Sequence, residues 1–132
     1  DGTLVLGDSA SGTGRLDIDA TSAVFGGGSN GGVAPFTAGQ LATLTNAGRI
    51  DLSNGGGAGD TFTVVGNYVG NGGALYLNTV LGDDSSASDK LVISTGSASG
   101  TTGVGILNAG GAGASTVADG ILVVQAINGA TT

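Results

Sequence analysis

The sequence predicts an all-β chain of short strands joined by tight turns, and three observations carry that prediction. Apolar residues recur in pairs two positions apart, the period of a strand with one buried face. Gly, Asn, Asp and Ser cluster between the pairs, where turns need left-handed or side-chain-capped backbone. Residues that build amphipathic helices are scarce: Lys and Arg number 3 together, glutamate is absent, and glutamine occurs only as Gln40 and Gln125.

Taken in chain order, the pairs are Leu4/Leu6, Leu16/Ile18, Ile50/Leu52, Phe62/Val64, Leu75/Leu77, Leu91/Ile93, Val104/Ile106 and Ile121/Val123. The residues between them, Val5, Asp17, Asp51, Thr63, Tyr76, Val92, Gly105 and Leu122, belong to the opposite face, mostly polar or small early in the chain. Charges follow the pattern. Arg15, Asp17 and Asp19 share the outer face of one strand and Arg49 and Asp51 that of another, with Lys90 also predicted outside. Between Ala20 and Thr43 the alternation breaks, which predicts a Gly-rich projecting coil with at most a short strand near Val24. The densest alternation runs from Asp60 to Ser94 and holds both tyrosines and the only lysine. The predicted folding core is Ile50, Leu52, Phe62, Val64, Leu75, Leu77, Leu91 and Ile93. The final run, Ile121 to Ile127, is apolar on both faces and should be covered on both sides or act as an end cap.

Two architectures fit. Steps of 12 to 17 residues between neighbouring pairs, the jump from Leu16 to Ile50 aside, suit a β-sandwich and a parallel solenoid alike. In a solenoid, coils of roughly 20 to 25 residues would each take two steps and the chain would supply about five or six coils. A loose unit favours the solenoid: a small-residue turn precedes an alternating strand at Ser11 to Ile18, Asn46 to Leu52 and Asn71 to Leu77. Periodicity alone leaves the choice open.

Composition narrows the function classes. Glycine is 29 of 132 residues, yet proline occurs once, at Pro35, so collagen is excluded. With 39% hydrophobic and 10% charged residues, the composition also argues against disorder. The net charge of −7 argues against nucleic acid and anionic membrane surfaces, which need clustered Lys and Arg. No apolar run is long enough to cross a membrane as a helix, so direct membrane insertion is not expected. Cysteine and histidine are absent, which removes disulfides, thiolate chemistry, Ser-His-Asp triads and imidazole metal sites. The abrupt strand-like start and the end at Asn128 to Thr132 read as a portion of a longer chain.

The remaining chemical candidates are weak. Gly55 to Asp60 approaches a calcium-binding glycine repeat, but from Gly56 the sixth position is Thr61, and Asp60 lies one place early. The carboxylate pairs Asp17/Asp19 and Asp83/Asp84 read as an outward strand face and a capped turn, with too little positive charge nearby for catalysis. Ser88 and Lys90 form a nominal dyad on what the spacing predicts as an exposed strand start. The expectation is therefore no enzyme, no cofactor, no metal and no catalytic residue.

Leu44 to Leu52, Phe62 to Asp84, Ser88 to Ile93, Gly100 to Val104 and Asp119 to Val124 resemble, in order, the C-terminal passenger region of bacterial type V autotransporters, the pertactin-like autochaperone region. The stretch G-N-Y-V-G-N-G-G-A-L-Y-L-N-T-V-L, from Gly66 to Leu81, is its most specific part. The resemblance implies a right-handed parallel β-helix, with room for a hairpin-like C-terminal cap. It divides the chain into passenger coils with a Gly-rich loop at 1–43 and an autochaperone-like region at 44–132. It also implies a role in templating passenger folding at the surface of a Gram-negative cell. The partners would be the protein's own outer-membrane β-barrel and upstream passenger coils. An adhesin or weakly self-associating surface is the competing reading, and a carbohydrate-active β-helix a third.

Overall fold

In the computed structural model, which describes residues 2–132, the chain winds into a parallel β-solenoid of about four turns. Each turn has three faces. The first turn holds β1 (Gly2–Leu6), β2 (Arg15–Ile18) and β3 (Ala23–Phe25), and the second β4 (Gly31–Pro35), β5 (Ala42–Asn46) and β6 (Arg49–Asp51). The third and fourth turns are each one bent strand of 19 residues, β7 (Thr61–Thr79) and β8 (Lys90–Asn108). A final strand, β9 (Val124–Ile127), begins a fifth turn by pairing in parallel with β8.

Stacking follows directly from the apolar pairs. On the first face Leu4, Val33, Val64 and Ile93 lie in one column and Phe62, Leu91 and Val124 in another. The third face stacks Val24, Ile50, Leu75 and Val104. The second stacks Leu16, Leu44, Tyr68 and Ala98. A coil cannot bury its inward side chains alone, so each column is completed only by the coils above and below it.

The coils are longer and fewer than the spacing predicted. Register partners Gly2 and Gly31, Gly31 and Phe62, Phe62 and Leu91, and Leu91 and Val124 are 29, 31, 29 and 33 residues apart. The difference is the second face, which after Ile18 carries Leu44, Tyr68 and Ala98 among Gly, Ser, Thr and Asn and leaves no repeated apolar pair in the sequence.

Residues 20–43 are not a projecting coil. They contain β3, β4 and the start of β5, all laddered into the stack. The glycines misled because they serve close approach: a Cβ on Gly32 would strike the carbonyl oxygen of Thr63. Gly66, at φ +140°, turns the corner between the first and second faces of β7.

At the C-terminal end the closure is a parallel strand rather than a hairpin. The antiparallel pairing among the described residues is the bridge between Thr79 and Ser88, where the loop from Val80 to Ala87 folds back with Val80 N donating to Ala87 O at 2.8 Å. In the run from Ile121 to Ile127, Val123 and Val124 pack on the core while Leu122 is exposed.

Candidate functional site

Ile50, Leu52, Phe62, Val64, Leu75, Leu77, Leu91 and Ile93 meet in one cluster, each no more than 5% exposed. The same cluster contains Leu6, Ile18, Val33, Ala42, Leu44 and Tyr68. Of these, Tyr68 carried a signal that sequence reasoning passed over: it lies two residues before Gly70 within the densest strand stretch, and its ring fills the second-face column. Its hydroxyl pairs with Thr102 Oγ1 at 2.7 Å and accepts from Asn46 Nδ2 at 3.1 Å, so the phenol is satisfied inside the stack.

The outer faces carry most of the charges, while Asp51 and Asp89 are buried. Arg49 is on the outside, where its guanidinium lies 5.2 Å from the Phe25 ring centre and 5.8 Å from that of Tyr76. Asp51, predicted outside, is on the outward face but buried, its side chain 12% exposed. Arg49 roofs it at 3.7 Å, and Ser53 donates to Asp51 Oδ1 through both N and Oγ, at 3.0 and 2.6 Å. A carboxylate that finds these donors need not remain in water.

Of the chemical candidates, Asp19 and Asp83 build turns, Asp84 clasps another loop and Asp17 pairs on its own strand. Asp17 is exposed and paired with Arg15 at 2.8 Å, whose hydrogen bond holds the Asp17 carboxyl below its ordinary value. Asp19 accepts from Thr21 N and from the Thr21 and Ser22 hydroxyls, each at 2.9 Å. Asp83 caps Ser85. Asp84 reaches across to another loop: its carboxylate accepts from Val117 N at 2.7 Å, Gly120 N at 2.7 Å and Ala118 N at 3.2 Å, and those bonds, Val117's foremost, lower its pKa. Asp60 Oδ2 accepts from Gly28 N at 2.6 Å, joining the glycine turn to the coil before it. Among the described residues no three carboxylates, cysteines or histidines gather as a metal site.

Ser88 is not on an exposed strand start. It is buried, bonded to Thr79 Oγ1 at 2.7 Å and donating to Asp89 O at 2.9 Å, and only half-buried Lys90 matches its predicted placement. Between them lies Asp89, a residue sequence reasoning did not single out. It is 0% exposed, and its carboxylate takes three backbone N–H groups: Gly59 at 2.9 Å and Asp60 at 3.0 Å on Oδ1, and Asn78 at 2.7 Å on Oδ2.

This arrangement offers stacked apolar columns and strand edges. A family model described as Autochaperone Domain Type 1 matches residues 39–132. The uncharacterized protein YuaQ of Escherichia coli (strain K12) is 40% identical over 130 residues, covering 88% of this chain and 9% of its own length. The adhesin BmaC autotransporter of Brucella suis biovar 1 (strain 1330) is 48% identical over 81 residues, 61% of this chain and 2% of its own. The probable autotransporter YfaL of Escherichia coli (strain K12) is 50% identical over 60 residues, 45% of this chain and 5% of its own. The chain thus spans under a tenth of the length of each of these three relatives.

Proposed function

This chain belongs to the type 1 autochaperone domain family, and on that premise we propose that its stacked coils template the folding of the passenger coils that precede them. As a member it is a folding and structural module of an autotransporter passenger. The observation that carries the templating reading is the pairing of β7 with β8. Two 19-residue strands run in parallel around all three faces, from Thr61 and Lys90 to Thr79 and Asn108. Once formed, that double coil offers the opposite edge of β7 to β4, β5 and β6, which are short and separate. Ordering a short strand on a ready edge costs less than building the first coil pair, because one partner is already fixed.

In this reading Ile50, Leu52, Phe62, Val64, Leu75, Leu77, Leu91 and Ile93 are the folding core, residues 44–132 form the templating unit, and 1–43 are coils laid on it. The parent protein continues to an outer-membrane β-barrel and displays this segment at, or releases it from, the surface of a Gram-negative cell. In this reading the module catalyses no reaction, and its carboxylates serve turns, ion pairs and coil junctions. The Brucella relative, an adhesin, supports a second reading, an adhesive surface, for which exposed Phe25 and Arg49 beside half-buried Tyr76 are the available material.

Pulse-labelled hydrogen exchange during refolding of the full chain tests the first reading. Amides of β7 and β8 should gain protection before those of β1, β2 and β3. Protection of the first coil ahead of β7 and β8 would remove the templating reading.

A further inference from the structure

We propose that Asp89 sets the register in which the fourth coil stacks on the third. The need for such a residue follows from the columns. A slip of one position would turn every inward side chain outward, but a slip of two keeps Leu91 and Ile93 on the inward face, with Leu91 against Val64 or Ile93 against Phe62. The hydrophobic pattern therefore rejects the first error and barely resists the second. Further along β8 the stretch from Ser94 to Gly103 is Ser, Thr, Gly and Ala, with little shape to restore the phase.

Asp89 supplies what the pattern lacks. It immediately precedes β8, and its two oxygens join three segments at one corner: Gly59 and Asp60 at the start of the third coil, Asn78 at its end, and the fourth coil's own entry. Its side chain is fully buried, and neither ion pair of the described residues includes it. A two-residue slip would bring Ala87 or Leu91 to the same place, and neither side chain accepts a hydrogen bond. The N–H groups of Gly59, Asp60 and Asn78 would then lose their acceptor, that of Asn78 at a buried position. The site also demands acceptors on both sides. An asparagine there would satisfy Gly59 and Asp60 with its oxygen but turn its NH2 group toward Asn78 N–H.

The same corner repeats the device in weaker form one coil earlier. Asn30 immediately precedes β4 and takes Thr61 N on its Oδ1 at 2.9 Å, while Asp60, immediately before β7, takes Gly28 N. Both lie nearer the surface than Asp89. The inference rests on the chain's own geometry and holds whether or not the module templates its neighbours.

Because the chain has no cysteine, register can be read by cross-linking. Thr63→Cys with Val92→Cys reports the native register, in which these residues are partners, and Thr63→Cys with Lys90→Cys or with Ser94→Cys reports a two-residue slip in one direction or the other. Each pair is oxidised in the full chain carrying Asp89, Asp89→Asn or Asp89→Ala. With Asp89, the native pair should dominate. In both variants the ratio of native to slipped cross-link should fall about tenfold, through gain of the slipped product. An unchanged ratio, or equal loss of both cross-links without slipped product, would overturn the proposal, the latter showing that Asp89 contributes stability but not register.

Discussion

The middle coils of this chain and its outermost coils are built from the same columns with opposite exposures. Leu75 and Val104 are register partners on the third face, yet Leu75 is 1% exposed and Val104 49%. Leu77 and Ile106, one step along, are 0% and 43% exposed. At the other end Leu4 is 52% exposed where its partner Val33 is 1%. The residue types barely differ; only the number of neighbouring coils does. Burial here is a property of stacking position, so the stabilising effect of an apolar side chain cannot be read from its strand alone.

The largest break in that symmetry should come from Leu77→Asp. A charge placed at a fully buried position in the middle column, with no partner, should cost several kcal/mol, comparable with the stability of a small domain. Thermal or urea unfolding of the full chain should show little folded population. Truncation compares the two positions more gently. Leu77→Ala should lower stability by about 3 kcal/mol, whereas Ile106→Ala, half open to solvent, should cost about 1 kcal/mol in the same denaturant titration.

Asp84 tests the C-terminal end by charge rather than by packing. Its carboxyl pKa is lowered in the folded state by the N–H groups of Val117 and Gly120. A depressed folded-state pKa means that the clasp's contribution is complete above the ordinary carboxylate value and is lost as pH falls through the depressed one. Amide resonances of Val117, Ala118 and Gly120 should therefore shift together on acidification, with a midpoint below the ordinary value, and Asp84→Asn should abolish that titration while leaving β7 and β8 amides in place. The smallest effect belongs to Asp17→Asn, where loss of an exposed pair with Arg15 should leave the unfolding midpoint within the error of the titration.

Where the sequence was legible, side-chain alternation and stacking coincided. Phe62/Val64, Leu75/Leu77 and Leu91/Ile93 alternate in the chain because they line two faces of the same stacked coils. The second face was illegible because Tyr68 and Ala98 achieve in register what no local pair displays. The glycines of residues 20–43 looked like a loop because close backbone approach and flexibility share one residue type. Asp89 was invisible for a related reason. Its three donors come from Gly59, Asp60 and Asn78, and nothing in Ser88-Asp89-Lys90 announces them. Asp51 misled in the same way, since only the fold brings Arg49 and Ser53 to cover it.

The templating role rests on the claim that the middle coils govern the folding of what lies N-terminal to them. Protease digestion of whole cells expressing the parent protein measures this most directly, with Leu77→Asp and Asp17→Asn compared against the unaltered passenger. Leu77→Asp should leave the β-barrel inserted while the surface passenger N-terminal to this module becomes protease-sensitive, and Asp17→Asn should match the unaltered protein. Equal protease resistance of the Leu77→Asp and unaltered passengers would contradict the account and reduce the module to a passive spacer.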